Sequence, residues 1–270
     1  MIKFFHKHTK EGFIMGKLIP VNSFPQISLD CGSYEFLENP ENNTHFVISS
    51  LLHVINTKLS INSVPLTTIA FSENVKNPVC YREPGLIILK ANPNKWDQLS
   101  YQLAHEMCHR IIPNEVTKNL RWLEESICEM SSYYFLPQLS KHWRRKKFNL
   151  VNAKTKKPYY SQFEKYVKND WKKAIEVNLS SFSAYPPSDE LQMLINNCEL
   201  REQNAYIAKA LLPIFNSHPN TWHAVPFLGA LSPDVSLETS LTEWIRLSPK
   251  ECHIGLQKIA EIFGTKPPHQ

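Results

Sequence analysis

Two histidines four residues apart, His105 and His109, bracket Glu106 in the stretch HEMCH. On a helix, positions i and i+4 share a face, so two imidazoles spaced this way can hold one metal ion. The HExxH spacing suits zinc. It gives two nitrogen ligands and, one residue past the first, a glutamate that reaches a water on the metal without joining the ligands. The bland alternative is a pair of helix histidines hydrogen-bonded to their neighbours. A catalytic zinc takes a third protein ligand and keeps its fourth position for water. No third histidine follows at the spacing of an extended HExxHxxGxxH motif, so the candidates are the carboxylates Glu115, Glu124, Glu125 and Glu129. Glu115 falls in the turn after Pro113 and reads as a solvated residue. Glu125 and Glu129 share a helix face, while Glu124 is turned about 100° away from it. One of the shared-face pair can bind the metal, and the other can accept a hydrogen bond from the free nitrogen of a ligand histidine. Cys108 and Cys128 flank these positions, but their helical angles point them off the metal face, as buried small residues.

The stretch HEMCH…WLEESICE resembles the gluzincin zinc metallopeptidases, both thermolysin-like and aminopeptidase-like. In that family the second helix carries a ligand glutamate, then a small residue, and an acidic residue four positions after the ligand. WLEES is similar to the aminopeptidase-type WLNEG, and Glu125 to Glu129 fit the E-x-x-x-D/E pattern. The resemblance implies one zinc per chain on His105, His109 and Glu125, with Glu129 orienting a histidine and Glu106 as general base. Spacing offers a competing answer, because Glu129 follows His109 by 19 intervening residues, as the thermolysin-like ligand does, and Glu125 by only 15. An inter-helix loop can shorten while the pattern within a helix cannot, which favours Glu125. The implied reaction is peptide-bond hydrolysis of a peptide or protein substrate. A further donor should stabilise the oxyanion, with Tyr185 and His223 as candidates in loops. The strand GLIILK takes the place of the family's edge strand, which pairs with an extended substrate. The resemblance covers about residues 86–136, and no GAMEN-type segment precedes the motif, so aminopeptidase specificity is unsupported.

The elements that must position these residues follow from periodicity. Residues 45–59 have helical spacing, PLTTIAFSE and GLIILK read as strands, and 96–112 read as a helix ended by Pro113. A second helix is expected from about Val116 to Leu136, stopping at Pro137. Charged turns around KHWRRKKF and a helix near SQFEKYVKNDWKKAIEV come next. Beyond the loop 180–190 the chain reads as helical. One helix there starts after Ser188; the last starts in a capping box at Ser248-Pro249-Lys250-Glu251 and is closed by Gly264. The expected fold is α+β. A zincin-like domain with a small mixed sheet spans 1–140, a basic connecting segment 141–180, and a mostly α-helical region 181–270.

Bulk properties narrow the function classes. The chain has 270 residues, a formal charge of +5 and only 7 glycines, with no phosphate-cradling GxGxxG or GxxxxGKS pattern. Between Lys141 and Lys173 stand twelve Lys or Arg and two acids, Glu164 and Asp170. This block is a solvated charged face, a surface for an acidic partner or lipid, or a nucleic-acid surface, since Trp143, Phe148, Tyr159, Tyr160 and Trp171 interleave the charges. Six cysteines without a CxxC pair read as reduced thiols in a cytoplasmic protein. No signal-peptide or transmembrane run is expected, and secretion without a signal stays open. The competing class is a catalytically silent zinc-binding module of the same fold that holds a protein or nucleic-acid partner through its basic segment.

Overall fold

The computed structural model describes residues 16–148, 150–151, 156–184 and 186–265. Short runs rich in branched residues form a five-stranded mixed sheet: β1 (Leu18–Val21), β2 (Phe24–Asp30), β3 (Thr67–Phe71), β4 (Val79–Tyr81) and β5 (Leu86–Leu89), in the order β1-β2-β3-β5-β4. The inner strands β2, β3 and β5 run parallel, and β1 and β4 lie antiparallel on the two edges. Parallel inner strands are covered on both faces, which is why β5 is an uninterrupted apolar LIIL buried along its length. Gly85 opens β5 at φ +86°, and a Cβ there would meet the Leu66 carbonyl oxygen at 2.3 Å, so only glycine fits the turn.

The expectation that GLIILK is the edge strand is corrected here. β5 is paired on both sides, by β3 and by β4, and β4 is the edge beside it. Three residues, VCY, are too few to show a period, so this strand left no signal in the sequence.

The helices are α1 (Asn43–Asn56), α2 (Trp96–Ile111), α3 (Arg121–Lys146), α4 (Tyr160–Trp171), α5 (Asp189–Asn196), α6 (Arg201–Ser217), α7 (Leu237–Leu247) and α8 (His253–Ile262). The chain is thus mixed α+β and mostly helical. Asn42 caps α1 through the amide of Thr44, and Ser188 caps α5 through Leu191, as the sequence suggests for α5. α2 ends one residue before the dipeptide Ile112-Pro113, as expected.

The second motif helix departs from its expected stop, since α3 passes through Pro137 and continues to Lys146. A mid-helix proline costs about 3 kcal/mol. Beyond it, Leu139 and Trp143 are fully buried, and burying each contributes roughly 2–3 kcal/mol, which outweighs the proline. α3 packs on α1, α2, α4 and α6, so it is apolar around much of its circumference. The charged turns expected around KHWRRKKF are therefore the end of this helix, closed by Lys147 in the left-handed region. The capping box at Ser248 does not form either. Ser248 ends α7, Pro249 is extended at ψ 144°, and a 3-10 turn, Lys250–Cys252, precedes α8. Gly264 does close the last helix, following the C-cap Phe263 with φ +74°.

The expected boundary at 140 falls inside α3, and a continuous core cluster contains residues from Val21 to Phe263. The described part of the basic block is integrated into this core. α4 packs on α2, α3 and α6. Trp143 and Tyr159 are buried, and Trp171 stands edge-on to Tyr133. Phe148, Tyr160 and Trp171 are half-buried, so only part of the aromatic set of this block turns fully inward. Among the described residues, no helix is long and apolar enough to cross a membrane.

Candidate metal centre

The cluster forms where α2 meets α3. Tyr101, His105 and His109 follow at successive i+4 steps on α2, and Glu124, Glu125 and Glu129 come from the first three turns of α3. His105 Nε2 and His109 Nε2 lie 3.2 Å apart. Glu125 places one carboxylate oxygen 3.3 Å from the first and the other 3.5 Å from the second. Bonds of about 2.0–2.2 Å in a tetrahedron set ligand atoms about 3.4 Å apart, so this triangle has the dimensions of one zinc coordination face. The Glu125 side chain is 25% exposed, more than either histidine.

Each histidine is held from behind. Glu129 Oε2 lies 3.3 Å from His105 Nδ1, and Glu124 Oε1 lies 2.6 Å from His109 Nδ1. Nδ1–H donated to a carboxylate leaves the Nε2 lone pair facing the centre, the tautomer a metal ligand needs. Glu124 is thus not turned away from the site, as its 100° offset suggests. One imidazole offers two nitrogens on opposite sides of the ring, so adjacent glutamates on α3 can each reach one. Glu124 is also bound by Arg82, which follows β4 and donates to the Ile112 carbonyl and to Glu115 as well. Glu115 itself is exposed, between Arg82 and Arg121, as a solvated residue.

The electrostatics follow from these contacts. Burial disfavours charge on His105, but hydrogen bonds to Glu125 and Glu129 prevail and raise its pKa to about 10. His109 is raised in the same way, against burial, chiefly by Glu125 and Glu124. The Glu125 carboxyl is held far below the usual range, because the two histidines outweigh its own burial. Protonating both rings together would aim two N–H donors at each other across 3.2 Å. A divalent cation in the same place uses both lone pairs and the carboxylate, so the donor set fits zinc.

Glu106 is different. It is buried, yet among the described residues it makes no hydrogen bond or ion pair. Burial raises its carboxyl pKa, with His105 and His109 pulling it back. A buried carboxylate without a structural partner is the usual mark of a group kept for chemistry. Arg201, the first residue of α6, also acts on Glu106 electrostatically, while one of its N–H groups bonds Asn77 at 3.1 Å in the β3–β4 loop. The edge strand β4 packs on α2, and the thiol of Cys80 on it is pushed up to about 12 by burial, with His109 pulling the other way.

Cys108 and Cys128 are fully buried. Cys128 brings its sulfur within 4.8 Å of ligand atoms of His109 and Glu124, a second potential metal group. Glu124 is committed to Arg82, and burial keeps the Cys128 thiol protonated by raising its pKa well above the ordinary value. The trio His105, His109 and Glu125 is therefore the better donor set. His223 does not join the cluster: it is exposed, 4.0 Å from Glu251. Tyr185 lies outside the described residues.

Arg82, Tyr101, Asp170 and Arg201 escape the sequence reading. Only Tyr101 left a signal, being one helical turn before His105 on the same face. Comparison of the chain with protein-family models, with curated proteins and with solved structures gave no match.

Proposed function

We propose that the chain is a zinc-dependent peptidase of gluzincin type, with a zincin-like α+β arrangement around the motif helices. The observation that carries this reading is the triangle of His105 Nε2, His109 Nε2 and Glu125 at 3.2–3.5 Å, beside the unpartnered buried Glu106. His105, His109 and Glu125 would hold the ion. Zinc held there would supply a water whose pKa lies towards about 7 and a Lewis acid for the scissile carbonyl. Glu106 would accept a proton from the attacking water and pass it to the leaving amine, and its raised pKa brings it closer to the working range of a general base. Glu129 and Glu124 hold the two rings in the ligand tautomer. An extended peptide adds as a strand to the free edge of β4, the role expected of GLIILK. The six free cysteines agree with a cytoplasmic, reducing setting.

The intact, unpartnered Glu106 favours catalysis over a silent zinc-binding module, because a structural zinc closes its fourth position and needs no base. The test compares wild type with Glu106→Gln for zinc content and for cleavage of a peptide library. Equal zinc in both, with cleavage by wild type alone, is the expected result. Zinc in both and cleavage by neither would overturn the peptidase reading and leave the binding module.

A further inference from the structure

We infer that α4 is part of the metal site, with Asp170 and Tyr101 acting as positioning residues for His105 through Glu129. The inference rests on the zinc reading above and concerns how one ligand is held.

The path is continuous. His105 Nδ1 meets Glu129 Oε2 at 3.3 Å, and the Tyr101 hydroxyl bonds the other oxygen of Glu129. The same hydroxyl lies 2.8 Å from Asp170 Oδ2. Tyr133 donates to that Asp170 oxygen at 2.8 Å, and Lys173 donates to Oδ1 at 3.1 Å. Among the described residues Tyr101 is the hydrogen-bonded anchor of Glu129 on the side away from the histidine, and Asp170 lies close enough to act on the Glu129 carboxylate as well. Without that anchor the carboxylate is free to turn about its last bond, and the orientation of the imidazole goes with it. The other histidine needs no such chain, since Glu124 is fixed directly by Arg82.

The rings make the path stiff. Tyr101 packs against Tyr166 of α4 at 4.9 Å and Tyr133 of α3 at 6.1 Å between centroids, so α2, α3 and α4 meet around it. Asp170 is also one of only two acids among the basic residues 141–173. The other, Glu164, pairs with Arg144 and Ser140. Asp170 instead points into the tyrosine cluster behind the metal ligands. Its carboxyl is held below the usual range, because hydrogen bonds outweigh its burial: those from Tyr133 and Lys173, and that of Tyr101, whose single proton lies between the Asp170 and Glu129 carboxylates.

The test uses the full chain, stripped of metal and reloaded, as wild type, Tyr101→Phe, Asp170→Asn and Tyr133→Phe. Zinc affinity is read by competition with a chelator, and ligand geometry by the visible spectrum of the cobalt-substituted protein. Tyr101→Phe and Asp170→Asn should each weaken zinc about tenfold, at the lower end for outer-shell partners. Tyr101→Phe should also shift the cobalt bands. Tyr133→Phe removes a hydrogen bond from the same Asp170 oxygen but lies off the path, so its zinc affinity should stay within about twofold of wild type. If Tyr101→Phe binds zinc like wild type, or if Tyr133→Phe is weakened as much, the positioning role is overturned. Should Asp170→Asn not fold, the two tyrosine variants decide. A wild type that takes up no zinc overturns the metal reading itself, which separates that failure from the failure of the path.

Discussion

Replacing Glu124 is the sharpest single perturbation, because the residue looks idle in the sequence and doubly employed in the structure. Glu124→Ala removes the acceptor 2.6 Å from His109 Nδ1 and leaves Arg82 without its closest carboxylate. Two losses follow, and they can be sized separately. Losing the partner behind a ligand histidine costs about 10–100-fold in metal affinity, or roughly 1.4–2.7 kcal/mol. Stranding one member of a buried ion pair costs about 3–5 kcal/mol of stability when nothing else compensates. The Arg82 and Glu124 side chains are 12% and 7% exposed, but Arg82 keeps the Ile112 carbonyl and Glu115. The stability loss should therefore be nearer ~1–3 kcal/mol. Glu124→Gln keeps the volume and an acceptor for His109, but its amide N–H groups then face Arg82. It should fall between wild type and alanine in both quantities. Zinc affinity is measured by chelator competition, and stability by urea unfolding with the chelator present, so that metal loss does not masquerade as instability. Glu125→Ala serves as the reference for losing a ligand and should weaken zinc more than either Glu124 variant. If Glu124→Ala keeps wild-type zinc affinity and loses only stability, Glu124 is an anchor for Arg82 and nothing more, and the argument for a carboxylate behind each histidine fails.

Other outcomes follow from the same contacts. Arg201 lowers the Glu106 pKa, so Arg201→Ala should raise it and move the acidic limb of the kcat/KM profile to higher pH; an unmoved limb would mean that Arg201 does not act on the base. Zinc must displace the proton that His105 holds up to about pH 10, so apparent zinc affinity should rise between about pH 6 and 9, by up to tenfold per unit for each proton released. A flat titration would argue against His105 as a ligand. The depressed carboxyl of Asp170 contributes stability that is complete above its unfolded value of about 3.9 and disappears as pH falls through the lower folded value. Asp170→Asn should therefore unfold at lower urea than wild type at pH 7, with the gap narrowing as pH falls below about 3.9.

The sequence disclosed the parts of this site that repeat with the helix and concealed those set by packing. His105 and His109 share a face because they are four apart, and so do Glu125 and Glu129; that much needs only the helix pitch. The resemblance chose Glu125 from that pair, and the structure brings it to both Nε2 atoms while Glu129 meets Nδ1. Glu124 lies outside that logic, because helical angle says which way a residue leaves its helix and not what waits there. A ring with two nitrogens, and an arginine 42 positions earlier in the chain, make its direction useful. The fold divides the same way. β3, β5 and α2 were legible from runs and period, whereas β4 was too short to see and α3 outran its proline because buried Leu139 and Trp143 lie beyond it. Both surprises bear on the site. β4 is an edge of the sheet among the described residues and leads into Arg82, while the extension of α3 gives the basic block a core to pack on. α4 then has somewhere to dock, and Asp170 arrives behind His105 from 65 residues away in the chain. A cut through the basic block that removed α4 should therefore damage zinc binding as well as stability, whereas a merely solvated linker would leave the metal where it was.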